Sequence, residues 1–178
     1  METPNGLSEI KALFGNPVGP NGGLDPAFEN HNIISYEPPA NWRLFFQGNR
    51  QIIPRNPRIH RLLAPSLTGV LNDVWDFAKE QLGAAATEEE VRNWLHEKRL
   101  DLHGGGFHFR NKRDSASISL HSFGIAIDWD PNHNPQQRPL TKTLPDWWYS
   151  VWADHGWTYG RRFRPEPDPM HVQFAKGV

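Results

Sequence analysis

Apolar residues recur at helical spacing through the middle of the chain. Leu67, Val70, Leu71, Val74, Phe77, Ala78 and Leu82 share one face of a helix that begins near Ser66, and Gly83 supplies its stop. A second helix begins at Thr87. Thr87 and Glu90 have the spacing of a capping box, and Val91, Trp94 and Leu95 form its inward stripe. A third starts near Pro145, with Thr143 and Asp146 as candidate caps, and runs through Trp148, Val151 and Trp152 to Gly156. Strands are expected over Phe107 to Arg110, Ile118 to Leu120, Gly124 to Asp130 and Met170 to Phe174.

The first 65 residues follow neither period for long. Prolines and Gly15, Gly19, Gly22 and Gly23 break the pattern, so this part reads as loops with short strands at Asn32 to Tyr36, Trp42 to Gln47 and Gln51 to Ile53. It is not read as disordered, because Trp42, Phe45, Phe46, Ile52 and Ile53 call for burial. Clustered helices beside short strands, without alternation, predict an α+β fold: a small antiparallel sheet with helices packed against it. The expectation is one domain over residues 1–178, loop-rich through residue 60, with helices and the site-bearing sheet over 66–178. No internal repeat interrupts it.

Composition narrows the function. The chain has 178 residues and a formal net charge of -1, which gives no pull toward nucleic acid or anionic membrane. It contains no cysteine, so any metal must be held by nitrogen and oxygen. No apolar run approaches a membrane span. Met1 to Gly6 lacks the basic segment and apolar run of a secretory signal, so synthesis in the cytoplasm is expected. Eight tryptophans suit a small core, and some are free to line a cleft.

Candidate chemistry gathers in two segments. Strand alternation over Gly124 to Trp129 sends Ile125, Ile127 and Trp129 inward and leaves Gly124, Ala126 and Asp128 on the opposite face. The same rule over Met170 to Phe174 turns His171 and Gln173 away from Met170, Val172 and Phe174. His121 lies just ahead of the first segment. Two imidazoles and a carboxylate form the three-ligand set of a catalytic zinc site, whose fourth position holds water. Any one of the nine histidines, taken alone, reads as an ordinary polar residue. An aspartate closing an apolar strand is harder to explain without a ligand role. Asp168, three residues before His171, is the candidate general base in preference to Glu166; without a metal it would be a turn carboxylate before proline. Arg110 is the candidate partner for a developing oxyanion, ahead of Arg113, which sits beside a turn at Asp114-Ser115. His103 and His108 flank Gly104-Gly105-Gly106, read as a tight connection, and His60 as a strand-to-helix connector.

Ser119, His121, Gly124, Ala126 and Asp128 together spell Ser-x-His-x-x-Gly-x-Ala-x-Asp, and Asp168 and His171 spell Asp-x-x-His. Gly156-Trp157-Thr158-Tyr159-Gly160 precedes the second motif. These segments resemble the zinc D-alanyl-D-alanine carboxypeptidases and L-alanyl-D-glutamate endopeptidases of peptidoglycan, within the hedgehog/D-Ala-D-Ala peptidase-like group. The resemblance runs from Phe107 to Phe174, reaches weakly back to the helix after Pro65, and leaves the first 30 residues unexplained. It implies one Zn2+ ion on His121, Asp128 and His171, Asp168 as base, Arg110 as oxyanion partner, and Ser119 in contact with substrate backbone. Two departures stand out: the base is Asp where many members have Glu, and Gln173 occupies a place that often holds an acid.

The function expected is a zinc peptidase of the bacterial cell wall, cutting the L-alanyl-D-glutamate bond, with the terminal D-Ala-D-Ala bond as the alternative. An exopeptidase needs a positive pocket for a free carboxylate, which the run Arg161-Arg162-x-Arg164 offers. A non-catalytic, zinc-stabilised wall-binding module is the reading of another class. A start without a secretory signal, and an end four residues after Phe174 that leaves no room for a wall-binding module, fit a phage endolysin. Such a lysin would reach the wall after a separate protein permeabilises the membrane. It would act on peptidoglycan as a monomer, without nucleic acid or membrane insertion.

Overall fold

The structure, a computed structural model, describes residues 1–48, 51–113, 115–140 and 144–178. Helices α1 (Leu7–Phe14) and α2 (Pro26–Asn32) precede four short strands, β1 (Ile33–Ser35), β2 (Phe45–Gly48), β3 (Gln51–Pro54) and β4 (Arg58–His60). A 3-10 turn leads into α3 (Ala64–Leu82), followed by α4 (Glu88–Glu97) and β5 (Leu102–Gly105). A second 3-10 turn, Leu120–Phe123, leads into β6 (Ala126–Trp129), then α5 (Asp146–Asp154), β7 (Thr158–Tyr159) and β8 (His171–Gln173).

The central helices form where their periodicity places them. Leu67, Val70, Leu71, Val74 and Ala78 of α3 are buried, and Gly83 ends the helix at a positive φ of 96°. At α4 the capping box is complete: Glu90 N donates to Thr87 Oγ1 at 3.3 Å, and Thr87 N donates to Glu90 Oε2 at 2.8 Å. Helix α5 starts directly after Pro145; Thr143, its other candidate cap, and Asp114 of the expected turn lie outside the described residues.

The N-terminal part holds two helices where loops were expected. Asp25 caps α2 by accepting from Ala27 N at 2.9 Å, with Pro26 in its first turn. Helix α1 is short, set between Gly6 and Gly15, and buries only Ile10 and Phe14. Ile52 and Ile53 are not buried as expected: they remain 47% and 43% exposed, because β3 is an edge strand with nothing packed over it. Nor is 107–110 a regular strand. Its main chain is tied elsewhere, Phe107 N to Arg58 O and His108 N to His121 O, and Gly104 and Gly105 of the supposed connection form part of β5 instead. Of Ile118 to Leu120, only Ile118 pairs, with Asn111, before the chain coils into the 3-10 turn.

Six strands form one sheet in the order β3-β2-β5-β6-β8-β7; β2 and β5 are parallel and the other pairs antiparallel. Strands β1 and β4 form a separate antiparallel pair. A continuous core reaches from Ile10 to Ala175 and holds Trp42, Trp75, Trp129, Trp148, Trp152 and Trp157. The two ends of the chain meet: Gly6 N donates to Lys176 O and Lys176 N to Pro4 O, at 2.9 and 2.8 Å, in a parallel bridge between Asn5 and Lys176. Among the described residues no helix is long and apolar enough to cross a membrane.

Candidate metal centre

Strands β6 and β8 pair with Asp128 directly opposite His171. Residues opposed across a ladder share a face, so both side chains project from the face opposite the one on which Ile127, Val172 and Trp129 enter the core. His121 arrives from the 3-10 turn. Ser119 starts that turn by accepting from His121 N at 3.4 Å, and Gly124 ends it with φ 69°. A Cβ at Gly124 would meet His60 N and Ile33 Cδ1 at 2.7 Å, so the glycine of the motif is required by backbone sign and by space.

Three donor atoms converge. His121 Nε2 lies 3.3 Å from His171 Nδ1 and 3.4 Å from Asp128 Oδ1, and His171 Nδ1 lies 3.0 Å from the same oxygen. The outward nitrogens fix the tautomers. His121 Nδ1 faces the Gly106 carbonyl at 2.7 Å, and His171 Nε2 faces Gln173 Oε1 at 3.0 Å, so each neutral ring donates outward and turns a lone pair inward. Gln173 Nε2 is itself committed to Ala175 O, which sets its oxygen toward His171. Lone pairs aimed at one point need a cation between them. Zinc bonds of about 2.0–2.1 Å in a tetrahedron set neighbouring ligand atoms about 3.3 Å apart, and the three separations match that spacing. Among the described residues, this trio is the group of acids and histidines placed to hold a metal. Burial alone would raise the Asp128 carboxyl, but without a metal the positive charge and N–H donation of the two imidazoles in their protonated form outweigh it and hold it well below the usual carboxylate range.

Asp168 stands beside the trio on the turn that leads into β8. Its backbone N donates to Gly160 O at 2.8 Å, its carbonyl accepts from His171 N at 3.1 Å, and Tyr149 OH donates to the next carbonyl, of Pro169, at 2.7 Å. Gly160 leaves the room for this approach, since a Cβ there would collide with the Asp168 main chain. The carboxylate oxygen Oδ1 is buried with no hydrogen-bond partner among the described residues. Burial pushes its pKa up to about 6, with a further rise from Asp128, against the pull of His171, His121 and Arg113. Glu166, the other candidate base, is exposed.

A cleft of about 370 Å³ opens onto His121 and Asp128 between β5 and the segment after it. Arg110 lines it. Its main chain is pinned by Ser122, whose Oγ accepts from Arg110 N and donates to Arg110 O, both at 2.8 Å, while its guanidinium is exposed. Arg113 is exposed as well, and its charge acts on Asp168. Ser119 is buried as the cap of the turn that carries His121 and is absent from the cleft wall. Arg161 is paired with Asp146 and stacked on Tyr149, and Arg162 on Tyr159, so neither contributes to this cleft. Arg55 and Arg58 line the cleft as well, Arg58 in an ion pair with Glu29 at 2.6 Å, and the sequence did not single them out. Arg55 comes from the turn between β3 and β4 and Arg58 from the first position of β4, far from the motifs, and no local pattern marks them. Gly106 and Ser122 were likewise invisible, because each acts through a backbone or hydroxyl contact.

Residues 113–174 match the family model described as D-alanyl-D-alanine carboxypeptidase, which supports the resemblance read from the motifs. The match takes in His121, Asp128, Asp168 and His171, covers a minority of the chain and stops short of Arg110. No curated protein and no solved structure matches the chain.

Proposed function

We propose that the chain is a zinc-dependent peptidase that cuts the peptide stems of bacterial peptidoglycan at the L-alanyl-D-glutamate bond. The observation that carries this reading is a buried carboxylate oxygen on Asp168, unpartnered among the described residues, beside three inward lone pairs. A purely structural site closes four protein ligands around its metal, whereas this one offers three and a spare base. When bound, zinc supplies the Lewis acid that polarises a scissile carbonyl and makes water acidic enough to attack at neutral pH.

The chain's own groups do the rest. His121 and His171 are oriented through their outward hydrogen bonds, and Asp128 by its ladder pairing opposite His171. Asp168 takes the proton of the attacking water and returns it to the leaving amine; a pKa raised toward neutrality suits both transfers. Arg110, on its anchored backbone, faces the charge that develops on the carbonyl oxygen. Ser119 serves by positioning His121 rather than by touching substrate. Arg55 supplies positive charge for the carboxylates that a stem peptide carries on the D-glutamate side of this bond, while Arg58 is held by Glu29 at 2.6 Å. By the same reading the enzyme acts as a monomer of the phage-lysin kind, with the continuous core supporting a single domain.

The description of the matching family favours a second reading, removal of the terminal D-alanine. Digestion of purified peptidoglycan by the zinc-loaded protein, followed by mass spectrometry of the fragments, separates the two. New L-alanine carboxyl and D-glutamate amino termini are expected. Free D-alanine as the sole product would transfer the assignment to the carboxypeptidase, and intact stems after full zinc loading would end the peptidase reading.

A further inference from the structure

A cavity of about 500 Å³, larger than the one beside the metal trio, opens on the other side of β2, between that strand, β3 and α4. Successive side chains of a strand face opposite ways, and β2 lines both spaces: Phe46 faces the metal cleft and Phe45 this second cavity. Its apolar surfaces are Trp42, Phe45 and Ile52, and Ile52 is the edge-strand side chain left 47% exposed.

One polar group there is unusual. Asp101 lines the cavity while only 4% exposed; Oδ2 meets His96 Nδ1 at 2.9 Å, and Oδ1 is buried with no partner among the described residues. A buried carboxylate oxygen left bare is costly, and a donor from a ligand would satisfy it. Charge then limits the ligand. The metal cleft sets three arginines against Asp128, whereas this cavity balances Arg43 and Arg92 against Glu89 and Asp101. A balanced lining selects no charged group. Flat apolar surfaces beside a carboxylate acceptor, the Asn93 amide and guanidinium donors are the equipment for a neutral polyol, whose C–H faces pack on rings and whose hydroxyls donate and accept at the edge.

We propose that this cavity is a saccharide subsite that holds an N-acetylated sugar of the glycan strand. The sugar's source rests on the peptidoglycan reading above; the saccharide chemistry does not.

The test is titration of the full-length, zinc-loaded protein with a β-1,4-linked N-acetylglucosamine oligosaccharide, followed by amide and indole NMR shifts. Shifts confined to the Trp42 indole, Phe45, Ile52 and Asn93 are expected. Asp101→Asn keeps an acceptor for His96 but gives up the carboxylate's charge, and Ile52→Ser removes an exposed wall. Each should weaken binding about tenfold, the value of one charge-assisted contact or one buried apolar side chain. Absence of shifts at millimolar saccharide, binding that both variants leave intact, or the same shifts from a soluble stem peptide in place of the sugar would each overturn the subsite. A protein that binds the sugar but leaves stems uncut would refute the peptidase reading and keep this one.

Discussion

Gln173 presents an amide oxygen to the far nitrogen of His171 at 3.0 Å, and its own N–H₂ is committed to Ala175 O. Loss of such an outer partner costs about 10- to 100-fold in metal affinity. Chelator competition on Gln173→Ala should therefore show weaker zinc binding in that range with the fold intact. Asp168→Ala should behave the opposite way. Zinc stoichiometry by elemental analysis stays at the wild-type value, while hydrolysis of stem peptide falls about 10²- to 10⁴-fold, the usual contribution of a positioned acid-base group. Undiminished hydrolysis in that variant would remove the base. At this scale the sequence was readable for the side chains that the proposed chemistry uses directly. His121, Asp128, His171 and Asp168 stand in motifs of fixed spacing, and the ladder pairing of Asp128 with His171 follows from the alternation of two strands. Residues that act through a backbone carbonyl, such as Gly106, or from a distant segment, such as Arg55 and Arg58, carry no local mark.

Legibility among the elements tracked how much apolar face each one buries. Helix α3 sends five regularly spaced residues among its buried set into the core and is plain in the sequence; α1 buries two and was missed. Helix α2 did leave a signal, Asp25 before Pro26, which a reading dominated by prolines passed over. The 3-10 turn at Leu120–Phe123 displaced an expected strand because Ser119 caps it and Gly124 closes it. That turn yields an element-scale prediction. Gly124→Ala forces a side chain onto a φ of 69° and against His60 N and Ile33 Cδ1. It should destabilise by more than about 1 kcal/mol, seen as a lower melting temperature, and weaken zinc binding as His121 shifts. An unchanged melting temperature would mean the turn tolerates a different sign of φ.

For the molecule as a whole, pH acts through two buried imidazoles. Burial holds His60 and His103 down to about 4; Phe14 O and Arg55 O, which accept from their Nε2 atoms, only partly oppose this. Between about 4 and 6.5 the unfolded chain binds protons that the native rings refuse, so stability is full above 6.5 and drains as pH falls. Each ring contributes up to about 3 kcal/mol to that loss. Urea unfolding of metal-free protein at pH 7 and pH 5 should show the midpoint dropping at the lower pH, by less than the two rings alone would give because the raised pKa of Asp168 favours the fold as pH falls. Imidazole NMR shifts of His60 and His103 that move between those pH values would mean neither ring stays neutral in the fold.

The bridge of Asn5 to Lys176 has a consequence for connectivity. The two segments run in the same direction there, so the last residue lies about six residue lengths, about 20 Å, past the first. A tether of about eight residues spans that gap without strain. Opening the chain instead at the exposed Ala84-Ala85 turn between α3 and α4 leaves every sheet pairing intact. Such a circular permutant should fold, load zinc in a one-to-one ratio and carry new ends far along the chain from the metal cleft, where a fluorophore or a surface anchor can be attached.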